Sequence, residues 1–316
     1  MKNTKNEIDF LIDLVSEIEK KDKLHSKKIN GNISYLKEHF PVQLNELLSL
    51  VNTYFINLGL DSERVASDYL KMIKDMRTEG LYFYKNGKYR CNNQHIANEY
   101  VYSKPEVMIY YMNALLVSQV MWKHHFNIYM YFQSQLKALF DNNAKLNVLD
   151  VGPGHGFFSY LVKKNFQGYE KMDLVDISET SLLMTKKIIG YDGDKIKYFN
   201  KDIFLFDENS KYDFIVLGEI LEHLDHPKEI LIKLSSLLSE KGLFWITTPT
   251  NSPAIDHVYL FNNRNEVLKL VESVGLEIVD SRSLFAEDVD EATADAKKIT
   301  NLVGLFCRKK QNEVSV

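Results

Sequence analysis

The chain has few of the residues that mark the simplest protein classes. Its 316 residues include only two cysteines, Cys91 and Cys307, and six prolines. Two distant cysteines supply neither a disulfide framework nor the paired spacing of a zinc site, so we expect a reducing cytoplasm. Asp9, Asp13 and Glu17 interrupt the early apolar residues, so no signal peptide is expected. No apolar run reaches the length of a membrane span.

A strong excess of either charge is also lacking. The formal net charge is −4 and the sequence pI is near 6.2, which gives no general attraction to nucleic acid. The lysine-rich first thirty residues contain interleaved acids, which favours a solvated helix face. The hydrophobic content of 45% and charged content of 26% are typical of a globular chain with one large or two medium domains.

Glycine is scarce as well, yet three of the 14 glycines fall within five positions. Gly152, Gly154 and Gly156 follow an apolar run that ends in Asp150, and helical spacing begins at Phe157. A strand, a glycine-rich turn and a helix in this order indicate a nucleotide-type site. Glycine permits a tight turn and the close approach of a ligand, and the helix start offers free N–H groups.

The glycine spacing excludes two common nucleotide sites. A dinucleotide fold places its third glycine one residue later, and a P-loop continues with Gly-Lys-Ser/Thr. Asp150 stands two residues before the first glycine, where a carboxylate is unfavourable beside a diphosphate and suits a cationic ligand. An NAD-dependent enzyme and a glycine-rich turn in some other α/β protein are therefore the weaker alternatives.

From about residue 143 onward, strand and helix patterns alternate, which predicts parallel strands with crossover helices. Ligands of open α/β sheets bind beyond the carboxyl ends of the strands. Asp176 and Asp202 end the second and third predicted strands, so we expect them beside Asp150 at one edge of the sheet. The seven strands are predicted at residues 146–151, 172–175, 196–199, 212–217, 243–248, 276–282 and 300–308.

This arrangement resembles the class I S-adenosylmethionine-dependent methyltransferases, whose first motif is an acidic residue followed by G-x-G-x-G. The resemblance is good over residues 143–310 and weak over 1–140. It implies a seven-stranded doubly wound sheet with an antiparallel last strand, and S-adenosylmethionine as cofactor. Asp176 would then accept the ribose hydroxyls and Asp202 the adenine amino group. The residues implied to bind the cofactor are Asp150, Gly152, Pro153, Gly154, Gly156, Asp176, Ile177, Asp202, Ile203, Gly218 and Glu219.

The segment after the fourth strand lies where methyl donor and acceptor would meet. His223 is the expected general base, because an unperturbed imidazole has a pKa of about 6.5. His257 lies in a loop after strand five that is expected to face the substrate. His124 belongs to a stretch rich in aromatics and methionine that suits an apolar or aromatic acceptor. The catalytic candidates are His223, His257, Glu222 and His124, and the alternative for each histidine is a structural role.

Glu219, Glu222 and His223 also form a Glu-x-x-Glu-His run. Similar runs serve divalent metal in small-RNA 2′-O-methyltransferases and in ubiquinone-biosynthesis O-methyltransferases. Together with His257, these residues could hold Mg²⁺, Zn²⁺ or Fe²⁺, which would lower the pKa of an acceptor hydroxyl. The favoured expectation is an enzyme without metal. Metal-assisted O-methylation is one alternative, and a non-catalytic scaffold of the same fold is the other.

The first 140 residues are mainly helical by pattern, and the polar residues 141–143 predict a boundary between domains 1–140 and 141–316. Asn86-Gly87 between two aromatic segments is the strongest short hairpin signal. Helices followed by a hairpin resemble the winged helix that dimerises small-molecule O-methyltransferases and covers their acceptor pocket. We expect a cytoplasmic homodimer that methylates oxygen, nitrogen or carbon of a small molecule, without membrane or nucleic-acid partners.

Overall fold

The carboxy-terminal part of the chain forms one seven-stranded sheet in the computed structural model. The structure describes residues 7–310, except 142–143, 167, 191 and 207–209. The strands run in the order β3-β2-β1-β4-β5-β7-β6, with β7 antiparallel to both neighbours and the other pairs parallel. The predicted doubly wound sheet is confirmed. Its strands are β1 Asn147–Val151, β2 Lys171–Asp176, β3 Ile196–Asn200, β4 Tyr212–Gly218, β5 Leu238–Thr250, β6 Leu276–Phe285 and β7 Asn301–Lys309.

Five helices connect these strands, and local signals fix their starts. The Ser178 hydroxyl accepts the N–H of Ser181 as N-cap of α9, and Pro227 occupies the first position of α10. The strand predicted at 243–248 begins earlier, because β5 already pairs at Leu238 before an irregularity in its register with β4. The helices are α8 Phe157–Asn165, α9 Glu179–Ile189, α10 Pro227–Leu237, α11 Arg264–Glu272 and α12 Glu291–Lys297.

The amino-terminal region is helical, as predicted. Its described residues, 7–141, form seven α-helices and one π-helical turn at Asn98–Tyr102. No helix in the described ranges combines the length and the apolar character that crossing a membrane requires. The helices are α1 Glu7–Lys21, α2 Lys23–His39, α3 Pro41–Asn57, α4 Ser62–Asn86, α5 Gln94–Ala97, α6 Pro105–Met121 and α7 Lys123–Leu139.

The hairpin predicted at Asn86-Gly87 is wrong. Helix α4 continues through Gly80 to Asn86, and Gly87 ends it with a φ of 69° and an N–H that donates to the Phe83 carbonyl. Glycine in the left-handed region is as suitable for a helix C-cap as for a turn. Phe83 is buried against Tyr89, with ring centroids 5.5 Å apart. No strand precedes β1 in the part of the chain that is described, so the winged-helix-like description is corrected to a helical one.

A hydrophobic core shared by both regions fixes the helices to the sheet. On α7, the Phe132 ring lies 4.9 Å from Trp245 of β5 and 6.2 Å from Phe306 of β7. A second core lies on the other face, beneath α10 and α11. Residues 142–143 of the predicted boundary lie outside the described residues, so the division into 1–140 and 141–316 stays a prediction.

This packing leaves no space for a side chain at Gly304 of β7. A Cβ there would overlap Ile128 of α7 and lie 3.0 Å from the Trp245 ring. We expect Gly304→Ala to destabilise the protein by about 1–3 kcal/mol in urea unfolding. Gly31→Ala is the control, because nothing lies within 4 Å of its Cβ position on α2 and alanine favours helix. A Gly304→Ala protein as stable as the wild type would contradict the packing of α7.

Candidate active site

The bend after β1 has a backbone that favours glycine. Gly152, Gly154 and Gly156 have φ values of 64°, 56° and 80°, all in the left-handed region. A Cβ at Gly152 would overlap the Ile220 side chain, and one at Gly154 would lie 3.1 Å from Sδ of Met112 on α6. The helical region therefore packs directly onto the glycine bend.

Two buried carboxyl groups end the neighbouring parallel strands beside this bend. Burial raises the pKa of Asp150 to about 7, although the Ser159 hydroxyl donates to it, and the charge of Asp176 raises it further. Burial also raises the pKa of Asp176 to about 6, although the Ser178 N–H donates to it at 2.8 Å. Because desolvation dominates both shifts, a cationic ligand would stabilise the ionised pair.

The third predicted acid continues the same edge. The Asp202 carboxylate accepts the N–H of Phe204 at 2.9 Å and caps a short 3₁₀ turn. Ile203 is buried and Ile177 is exposed, and both line the same cavity as Asp202. An acceptor flanked by apolar side chains has the chemistry that the resemblance implies for an adenine.

A cavity of about 450 Å³ connects this edge to the helical region. Its size is within the usual range for small-molecule sites. Gly156 does not line it and instead packs against Thr185 and Ile188 of α9. The predicted cofactor residues that line it are Asp150, Gly152, Pro153, Gly154, Asp176, Ile177, Asp202, Ile203, Gly218 and Glu219.

The structure brings Glu222, His223 and His257 together. One ligand atom of each lies within 4.8 Å of the others. Oε2 of Glu222 accepts the Thr248 hydroxyl at 2.7 Å, whereas its fully buried Oε1 has no hydrogen-bond partner. Nδ1 of His257 donates to the Ser252 carbonyl, which leaves Nε2 as an acceptor. This chemistry suits either a shared proton or a divalent cation.

Asp256 orients His223 within this group. Nδ1 of His223 lies 3.1 Å from the Asp256 carbonyl oxygen and 3.6 Å from its carboxylate. Burial alone would lower the pKa of His223, but the carboxylates of Asp256 and Glu222 outweigh it and raise the pKa. Tyr102 from the helical region donates to the Asp256 carboxylate at 3.3 Å. Burial and the nearby His223 lower the pKa of His257 to about 4.

Glu219 lines the cavity without joining the Glu222–His223–His257 group. Its φ of 55° places a non-glycine residue in the left-handed region, which is strained. Its N–H donates to the Thr247 carbonyl at 2.8 Å, which holds the turn in place. Burial and the charge of Glu222 raise its pKa. Of the four residues predicted to hold metal, the structure therefore assembles three.

The fourth catalytic candidate, His124, lies on α7 against Trp122 and His125. It lines the cavity but does not belong to the Glu222–His223–His257 group. The sequence reasoning missed Tyr102 and Thr248, which hold Asp256 and Glu222. It also missed Ser159, although a buried serine within the apolar face of α8 was a usable signal.

The family is established by comparison with known proteins. A family model described as "Methyltransferase domain" matches residues 121–280, half of the chain. The chain belongs to this methyltransferase family. S-adenosylmethionine is its cofactor, as the resemblance implied.

The curated relatives of this methyltransferase include O-methyltransferases. The mitochondrial ubiquinone biosynthesis O-methyltransferase of Saccharomyces cerevisiae is 31% identical over 154 residues, 46% of either chain. The ubiquinone biosynthesis O-methyltransferase of Rickettsia bellii is 21% identical over 180 residues, 50% of this chain and 74% of the relative. The match thus spans less than half the length of the yeast relative.

Solved structures of related fold are more distant. The N-methyltransferase NodS of Bradyrhizobium japonicum in complex with S-adenosylhomocysteine is 15% identical, with a TM-score of 0.44 over 58% of this chain and 87% of NodS. The [4+2]-cyclase SpnF is 11% identical, with a TM-score of 0.45 over 58% of this chain and 81% of SpnF. Similarity at this level says nothing about the reaction.

The position of Asp176 predicts a loss of cofactor affinity on substitution. Asp176→Ala removes a buried acceptor, so S-adenosylmethionine binding should weaken by about 1–3 kcal/mol in titration calorimetry. Glu179→Ala, an exposed acid three residues later, is the control and should bind as the wild type does. Equal affinities for all three proteins would remove Asp176 from the binding site.

The raised pKa of Asp176 also predicts a pH dependence. The ionised form of Asp176 accepts hydroxyl protons, so its contribution to affinity should be full above pH 7 and fall as the pH drops through about 6. In the wild type, this group alone should account for roughly a tenfold loss between pH 8 and pH 5, and protonation of Asp150, whose pKa is about 7, should add to it. Asp176→Asn should show a shallower profile, and parallel profiles for the two proteins would contradict the assignment.

Proposed function

We propose that this methyltransferase moves the methyl group of S-adenosylmethionine to an oxygen atom of a small acceptor molecule. One observation carries the proposal: a single cavity is lined both by the glycine bend with its strand-end acids and by His223 and His257. The relatives named as O-methyltransferases support oxygen over nitrogen and carbon.

The cavity residues fit the donor. Asp176 would hold the ribose hydroxyls, Asp202 the adenine amino group, and Ile177 and Ile203 the faces of the ring. Asp150 and the glycine bend would accommodate the cationic remainder close to the backbone. When bound, S-adenosylmethionine supplies an electrophilic methyl group on a sulfonium sulfur. The protein's main contribution is to align donor and acceptor.

His223 is placed to take the acceptor proton. Because Nδ1 is directed at Asp256, Nε2, which lies 3.8 Å from Oε1 of Glu222, is the nitrogen that would act as the base. The acceptor oxygen forms its bond to the methyl carbon as the carbon–sulfur bond breaks, and the hydroxyl proton passes to Nε2 of His223. A methyl ether and S-adenosylhomocysteine result. Tyr102 holds the Asp256 carboxylate, and the carboxylates around the imidazole favour its protonated form.

Metal-assisted transfer is a second candidate, and Oε1 of Glu222 favours it, because this oxygen has no hydrogen bond and only an ion-pair contact with Nε2 of His223 at 3.8 Å. A buried carboxylate oxygen without a hydrogen bond is costly, and a bound cation would relieve that cost. One carboxylate and two imidazoles form a ligand set that suits Zn²⁺ or Fe²⁺. Such a cation would lower the pKa of an acceptor hydroxyl. His223 would then be a ligand and not the base.

The homodimer and the cytoplasmic location belong to the proposal as well. Leu24 and Val42 expose large apolar side chains on α2 and α3, which supports association through the helical region. Cys91 and Cys307 are both free and buried, which supports a reducing compartment.

Removal of the base should slow the reaction. His223→Ala should lower kcat about a hundredfold while leaving S-adenosylmethionine affinity within about twofold, because the side chain acts on the acceptor proton. His226→Ala is the matched control, since this histidine is exposed three residues away. An unchanged kcat in His223→Ala would dismiss it from the chemistry.

Chelation separates the two versions of the reaction. After dialysis against EDTA, the base version predicts unchanged turnover and no metal by plasma mass spectrometry. The metal version predicts a loss of turnover of at least about tenfold that added Zn²⁺, Fe²⁺ or Mg²⁺ restores. It also predicts that His257→Ala lowers the metal content while S-adenosylmethionine affinity is retained.

A further inference from the structure

The cavity has a wall that the donor does not need. It is formed by α6 and the start of α7, and half of its six residues precede the range that matches the family. We call it the helical wall. It consists of Met108, Met112, Leu115, Trp122, His124 and His125. The helical wall lines the same cavity as the residues that would hold the donor.

His124 is the least satisfied polar side chain of the helical wall. It is only 9% exposed, and it forms no hydrogen bond with any residue that the structure describes. Its ring stacks on Trp122 at 5.5 Å, and burial lowers its pKa to about 3. A neutral imidazole whose nitrogens face a cavity is free to pair with a ligand group there.

His125 adds a second neutral imidazole, 4.5 Å from the first between ring centroids. Nδ1 of His125 lies 2.7 Å from the Ser118 hydroxyl and 3.3 Å from the Gln119 amide nitrogen. Nε2 is then the ring nitrogen left to pair with a ligand. Burial lowers the pKa of His125, as does the neighbouring His124. The two rings together present hydrogen-bonding atoms without charge.

The charged residues near this wall are paired with one another. Lys28 of α2 forms an ion pair with Glu287 at 2.6 Å, and Lys123 of α7 forms one with Asp288 at 2.7 Å. All four residues line the cavity. His25 forms a hydrogen bond with the Tyr69 hydroxyl. Because burial lowers the pKa of His25, its imidazole is neutral and adds no positive charge. Among the described residues beside the helical wall, an acceptor carrying a charge would therefore meet counter-charges that already have ion-pair partners.

We infer that His124 and His125 select an uncharged acceptor, whose aromatic or apolar body lies along the helical wall and whose hydroxyl, carbonyl or amide pairs with the two imidazoles. This inference rests on the proposed function, because it assumes that the wall faces the acceptor. A carboxylate or ammonium at that end of the acceptor would lose its hydration without compensation. His124 and His125 are specificity-determining residues and take no part in the bond-making step.

Two fragments of equal size test the inference. 4-Hydroxybenzamide is neutral and 4-hydroxybenzoate is anionic, and binding of each is measured by NMR titration, with and without S-adenosylhomocysteine. The expected result is amide binding at least about tenfold tighter than benzoate binding. Equal affinities, a preference for benzoate, or no binding of the amide would overturn the inference. Failure of S-adenosylhomocysteine itself to bind would contradict the proposed function separately.

Substitutions near the helical wall test whether the preference for the neutral fragment arises there. Glu287→Gln combined with Asp288→Asn frees Lys28 and Lys123 and should tighten benzoate binding at least about fivefold without changing amide binding. The matched control, Glu291→Gln, changes an exposed charge on α12 and should change neither. His124→Phe keeps the ring stacking and should weaken amide binding about tenfold. Unchanged fragment affinities in both variants would overturn the inference.

Discussion

The structure depends on one costly interaction: two carboxyl groups held out of water at the ends of β1 and β2. Burial raises the pKa of Asp150 to about 7 and that of Asp176 to about 6, so burial disfavours ionisation of either group. A sulfonium nucleoside offers the positive charge and the hydroxyl donors that reverse this cost. The glycine bend permits its close approach, and the parallel sheet keeps the two acids adjacent.

The helical region completes the site that the sheet begins. Met112 of α6 packs against Gly154, and Tyr102 holds Asp256, which in turn orients His223. Because α7 is fixed to the sheet by a shared aromatic core, these contacts have a rigid base. In the proposed reaction, the residues of the sheet hold the donor and the helices contact the acceptor.

Much of the sheet and of the donor site could be predicted from the sequence. Alternating apolar segments and the spacing of Gly152, Gly154 and Gly156 are local signals, and strand ends bring Asp150, Asp176 and Asp202 to one edge. The dipeptide Asn86-Gly87 predicts a hairpin, but the same two residues also suit the end of a helix. Packing of the preceding aromatic side chains, which the sequence does not reveal, decides between the two structures. The bond from Tyr102 to Asp256 joins residues 154 positions apart and has no local signal.

Proton linkage in titration calorimetry tests the central claim most directly. If S-adenosylmethionine binds to the ionised forms of Asp150 and Asp176, binding at pH 6.5 must release protons from the fraction that is protonated in the free protein. The measured enthalpy should then vary with the ionisation enthalpy of the buffer and indicate a release approaching one proton. Binding with an enthalpy independent of the buffer at this pH would contradict the account.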